Sequence, residues 1–158
     1  MNLQVDIQKA TVEPVPEEED IRHWISAALV GRTTDTEITV RLVEREEMTT
    51  LNQSYRGKPG ATNVLSFPAD LPPELALPLL GDIVICAPVV SQEAQEQEKS
   101  SAAHWAHLTV HGTLHLLGYD HIHEDEALIM EALETEVLAR LGFPCPYGHR
   151  IATEHLSQ

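Results

Sequence analysis

The run His111-Gly-Thr-Leu-His115-Leu-Leu-Gly118-Tyr-Asp-His121 constrains this chain more than any other segment. His111 and His115 are four residues apart. On an α-helix that spacing stacks two side chains on one face, one turn above the other. Gly118 supplies a helix stop, and the chain can then fold back to present His121. Two imidazoles from a rigid helix and a third from the turn beyond it can fill three corners of a tetrahedron. The fourth corner stays open for water, the layout of a catalytic rather than a structural zinc site. The plainer alternative is a helix whose histidines are satisfied or exposed.

The same helix carries His104 and His107. At about 100° per residue, His104, His107, His111 and His115 fall within an arc of roughly 80°. His104 and His107 lie too far along the axis for both to join the same ion. They read either as surface or capping polarity, or as support for the ligands and contact with substrate. One absence is informative. Zinc proteases carry H-E-x-x-H, in which the glutamate is the general base. Here that position is Gly112. Another group activates the water, the metal alone acidifies it, or the chemistry is not proteolysis.

The chain has 158 residues, 42% of them hydrophobic, enough for one domain with a proper core. Its apolar runs fall short of the ~20 residues of a membrane span, and the N-terminus lacks the basic and apolar regions of a signal peptide. Cys86 and Cys145 have no CxxC spacing. They read as free thiols in a reducing compartment, neither joined nor ligating metal, which points to the cytosol. A net charge of −15 sits badly with a nucleic-acid binder, since phosphate contact calls for a basic face. The charge is uneven, however. Five acids crowd Glu13–Asp20 and seven lie in Asp120–Glu136, whereas Arg56–Pro68 holds Arg56 and Lys58 and no acid. The acidic runs read as solvated helix faces and first-turn charges. Binding of RNA must then rest on a local patch.

Alternation of apolar and polar residues predicts a strand over Leu3–Ala10 and another through Ile38, Val40 and Leu42. Helices are expected over Glu17–Val30, Glu44–Tyr55, from Pro88 to about Lys99, over about Ala102–Leu117, and over Glu124–Leu141. Val64–Phe67 and Gly81–Cys86 read as buried strands, with a proline-bearing loop from Pro68 to Pro78 between them. Residues 1–2 and about 149–158 read as irregular tails. The order β-α-β-α-β-β-α-α-α implies a single α+β domain over residues 1–158. A small mixed sheet carries packed helices, and the histidine helix lies near the centre.

The histidine run resembles the defining motif of the bacterial YbeY-type rRNA maturation factors. Further segments match in family order: L-N-Q-S-Y-R-G-K, T-N-V-L-S-F-P, L-L-G-D-I-V-I-C, A-H-W-A-H-L and E-A-L-E-T-E. The resemblance covers roughly residues 35–148 and is similar in detail to gamma-proteobacterial members. It implies a metal-dependent endoribonuclease of single-stranded RNA that acts in ribosomal RNA maturation and ribosome quality control. It implies His111, His115 and His121 as ligands of one Zn²⁺ per chain, and a catalytic role for Arg56. Ni²⁺ or another divalent ion would also accept imidazoles. Independently, Arg56 sits in an acid-free loop, and its planar guanidinium suits bidentate phosphate binding. The implied partners are single-stranded RNA, the ribosome or ribosomal proteins, and no membrane. One departure is visible: Pro59 follows Lys58 where the family often has aspartate. Two other functions are consistent with the residues alone: a ribosome-assembly or chaperone factor with a mainly structural metal, and a metal-dependent peptidase.

Overall fold

In a computed structural model, the chain is described over residues 1–69, 71–75, 77–119 and 124–147. Four strands and five helices follow in the order β1 (Leu3–Ala10), α1 (Glu18–Ala28), β2 (Thr36–Val43), α2 (Arg45–Arg56), β3 (Val64–Pro68), β4 (Leu79–Cys86), α3 (Ala87–Glu96), α4 (Ser101–Leu116) and α5 (Glu124–Arg140). The proline-bearing loop also holds a short 3₁₀ turn, Pro73–Leu75. The expected elements are all present, with boundaries within about three residues, β4 among them. That strand begins at Leu79, because Glu37 already pairs with Leu79 ahead of the register shift at Ile38.

The sheet order is β1-β2-β4-β3. β1 runs parallel to β2, with Val5 beside Ile38 and Ile7 beside Val40. β2 runs parallel to β4, with Val40 beside Ile83. β3 returns antiparallel on β4, with Ser66 opposite Ile83. A parallel pair needs a crossover connection; α1 provides it between the first two strands, and the segment through α2 and β3 provides it between β2 and β4.

β4 shows why its sequence is a continuous apolar run. Ile83 and Ile85 belong to the larger core, while Val84 and Cys86 belong to a smaller one on the other face. Side chains alternate across a strand, so a strand buried on both faces has no polar face to show. The larger core is covered by α1 and α4 and includes Trp24, Ile25, Trp105 and Leu114. The smaller includes Met48 of α2 and Val89 of α3. α4 meets β3, β4, α1, α3 and α5, so the helix with the histidine motif is the central one. Ser100 caps it by accepting a hydrogen bond from the Ala103 N–H at 3.1 Å. Buried Thr109 and Thr113 satisfy their hydroxyls on the carbonyls of Trp105 and Thr109.

Candidate active site

The site begins with how closely α4 lies on the sheet. Gly112 makes that approach possible. A Cβ at this position would sit 2.9 Å from Ile83 Cγ2 and 3.2 Å from Ser66 Oγ. The Ser66 hydroxyl donates to the Gly112 carbonyl at 3.0 Å, fastening helix to strand. Position 112 therefore faces β3 and β4. The position that carries the glutamate base of zinc proteases is occupied here by helix-on-sheet packing. With Gly112 seated on the sheet, His111 and His115 line a cleft. Their rings meet edge to face with centroids 4.7 Å apart. α4 ends at Leu116, and Gly118 (φ 104°) turns the chain beyond it in a conformation that favours glycine.

Behind the helix lies a buried carboxylate. Glu134 of α5 is 0% exposed. Its Oε1 is 2.6 Å from His111 Nδ1 and 3.3 Å from His107 Nε2. Its Oε2 accepts from the Tyr147 hydroxyl at 2.6 Å. Burial pushes the Glu134 carboxyl up, but hydrogen bonds from His107 and His111 outweigh it and hold the group at about 2. Burial also pushes His107 down, against the partial pull of Glu134. The buried His107 Nδ1 has no hydrogen-bond partner among the described residues. His107, His111 and Glu134 present ligand atoms within 4.8 Å of one another, so this group could hold a metal ion.

A second carboxylate serves His104 in the same manner. Glu93 Oε1 lies 2.9 Å from His104 Nε2 and accepts from Asn63 Nδ2 at 3.0 Å. Burial pushes Glu93 up, but the bonds from His104 and Asn63 bring it below the usual carboxylate range. Asn63 also takes the Val64 N–H on its Oδ1, and its carbonyl takes the Cys86 N–H. It thereby ties the strand that follows the Arg56 loop to α3.

The cleft itself has a volume of about 800 Å³ and is lined by Tyr55, Arg56, Ser66, His111, His115 and Tyr119, among others. Arg56 is the last residue of α2. The helix closes just after it, with the Gly57 and Lys58 N–H groups on the carbonyls of Gln53 and Asn52. The Asn52 side chain donates to the Gly60 carbonyl at 2.9 Å and holds the loop against the helix.

The family model described as endoribonuclease YbeY matches residues 3–142. The chain is 59% identical to the endoribonuclease YbeY of Pseudomonas putida (strain W619), over 92% of this chain and 94% of that protein. It is 57% identical to the endoribonuclease YbeY of Cellvibrio japonicus (strain Ueda107), over 91% of this chain and 82% of that one. The chain belongs to the endoribonuclease YbeY family. It is accordingly an enzyme, an endoribonuclease that breaks phosphodiester bonds within RNA. The solution structure of the Thermotoga maritima protein TM1509 shares the fold, with a TM-score of 0.58 and 24% identity over 87% of this chain and 91% of that one.

For this member of the family, the structure brings three of the four expected site residues, Arg56, His111 and His115, to one cleft. His121 lies outside the described residues. Two readings of the sequence need correction. The acidic run that ends at Glu136 is not a solvated face throughout, because Glu134 within it is fully buried. The surface reading of His104 fails too: it is 3% exposed and bound to Glu93. Glu134 was missed because charge runs average to solvent. Its signal was positional, since it falls one turn from Met130 and Leu138, both buried. Cys86 and Cys145 are both free, and neither belongs to the metal-competent cluster. No described helix is long and apolar enough to cross a membrane.

Proposed function

We propose that this endoribonuclease is zinc-dependent, acts on single-stranded RNA, and serves ribosomal RNA maturation and ribosome quality control in the cytosol. One observation carries the metal reading. The Nδ1 of His111 is held at 2.6 Å by a buried carboxylate, which aims the Nε2 edge of the ring away from α5. Metal-ligating histidines regularly present their second nitrogen to such a carboxylate, which fixes ring orientation and raises basicity. His115 adjoins His111 on the cleft wall. A set of His111, His115 and His121 fits a borderline-soft divalent cation, with Ni²⁺ as the alternative to Zn²⁺. When bound, the ion supplies a Lewis acid for the phosphoryl group and acidifies a water.

The remaining work falls to the chain. Arg56 grips a non-bridging phosphate oxygen, where negative charge grows in the transition state. Glu134 holds His111, and through Tyr147 and His107 it is itself held. The nucleophile is water or the neighbouring ribose 2′-hydroxyl. The peptidase reading loses its support because position 112 faces the sheet. Overall charge is −15, so ribosomal proteins, which are basic, complement the surface away from the cleft.

The test uses a single-stranded RNA taken from ribosomal RNA and the His115→Ala protein. Cleavage should disappear and bound zinc should fall below one ion per chain, while circular dichroism and melting stay near wild type. Undiminished cleavage by this variant overturns the metal reading. Unfolding on metal removal favours the assembly factor with a structural ion.

A further inference from the structure

The apolar stripe of α2 ends in an anomaly. Met48, Leu51 and Tyr55 share one helical face. Met48 is fully buried and Leu51 half-buried, yet Tyr55 is 68% exposed. Among the described residues its one ring contact is edge-to-face with Phe67 of β3, at 5.1 Å between centroids and 68° between planes. That geometry braces the ring without covering it. Tyr55 is also the residue immediately before Arg56, and both line the cleft that holds His111 and His115. The same Tyr55–Phe67 pair lines a second hollow of about 500 Å³ on the other side, with Thr39, Arg41 and Asp82. The tyrosine is thus a braced, accessible ring on the ridge between two hollows, next to the guanidinium offered to phosphate.

Packing does not account for this placement. A ring kept for packing would bury its area, since an aromatic side chain stabilises chiefly through the surface it removes from water. A ring kept for binding has to be exposed in the free protein and held in one orientation. The charge pattern agrees. The stretch from Arg56 to Pro68 has two cations and no acid in a chain of net charge −15, so an anionic strand has a favourable approach there, and it passes Tyr55.

We propose that Tyr55 is the stacking platform for an unpaired base of the RNA, adjacent to the phosphate gripped by Arg56. This deepens the reading of the cleft as an RNA-cleaving site and rests on it. It also gives that site a physical basis for preferring single strands. In a duplex the base faces are occupied by their neighbours, whereas an unpaired base can lie on an aromatic ring. Every base has such a face, so Tyr55 confers strandedness and little sequence preference.

The experiment reads binding and cleavage separately. Full-length wild type, Tyr55→Leu and Tyr55→Phe are titrated with a single-stranded RNA oligonucleotide containing 2-aminopurine, and the same RNA is used for kcat and KM. Stacking should quench the fluorescence of the probe in wild type. Tyr55→Leu should lose the quenching and raise KM about five- to hundred-fold, the range that ring removal costs at stacking sites, with kcat little changed. Tyr55→Phe should restore both, since the ring rather than the hydroxyl is at work. Because the side chain is exposed, the melting temperatures should agree to within a few degrees. Quenching and KM that are the same in Tyr55→Leu as in wild type overturn the platform. So does a loss that Tyr55→Phe fails to restore. Wild type that quenches in a Tyr55-dependent way but cleaves no RNA sustains the platform and overturns the reading of the cleft beneath it.

Discussion

The two walls of the cleft are built on opposite principles. The α4–α5 wall is buried and over-determined: Glu134, at 0% exposure, is held from three sides by His107, His111 and Tyr147. The α2 rim is the reverse, with every residue from Gln53 to Gly60 exposed. A wall that presents metal ligands must keep them within a fraction of an ångström, so it spends buried polar groups on orientation. A rim that receives a long polyanion must leave its rings and cations accessible. On the proposed reading, burial marks where this site is held in place and exposure marks where it takes hold of substrate. Substitutions on the two walls should therefore fail in different ways.

The hardest test of the buried wall is Gly112→Glu, which writes the protease-like H-E-x-x-H into α4. We expect no peptidase, and no stably folded protein. A bare Cβ already comes within 2.9 Å of Ile83, and a buried carboxylate would have to be accommodated as well. A folded variant with a normal melting temperature would show that α4 can lift from the sheet. The rim should answer differently. Arg56→Ala should leave folding and metal content unchanged and lower the cleavage rate by about 10²–10³-fold, as loss of one charge-stabilising donor does. Metal loss in that variant would join the two walls into one unit.

A finer cut separates two roles for Glu134. If it orients His111, Glu134→Gln should weaken zinc by about 10–100-fold in chelator competition, since the amide oxygen can still accept from Nδ1–H. If Glu134 is a ligand in its own right within the His107–His111–Glu134 group, the ion should be lost altogether. The smallest effect belongs to Glu93, behind the same wall. Its folded carboxyl lies below the ordinary value of 4.5, so its stabilisation is present above that pH and is lost as pH falls through the folded value. Glu93→Gln should therefore cost about 1 kcal/mol at neutral pH. The gap between the two proteins should close below about pH 4.5. Parallel stability curves down to pH 2 would remove Glu93 from the account.

The same contrast explains what could be read before the structure. Strands β1 and β2 announce themselves because one face is wet and the other dry, so Val5 and Ile7, or Ile38 and Val40, alternate with polar residues. The histidine pair was legible because helical spacing alone puts two imidazoles on one face. Glu134 was not, since its hydrogen-bond partners lie on α4 and beyond α5, and a charged residue reads as solvated until those partners are placed around it. Tyr55 shows the opposite: at helical spacing from Met48 and Leu51, it is nonetheless 68% exposed. The place of β4 between β2 and β3 was equally hidden, because strand order depends on contacts between distant segments.

That strand order has a consequence for how the molecule comes into being. The inner edge of β2 waits for β4, so Val40, already beside Ile7, finds its second neighbour only once Ile83 has been made. Even then the sheet face carrying Ile83 and Ile85 stays open until α4, after residue 100, arrives to cover it. Such long-range pairing delays the pay-off of a nascent chain to its last third. Half a protein here is no protein. The covering helix is also the one that carries His111 and His115, so the histidine wall of the cleft is completed only when the larger core is.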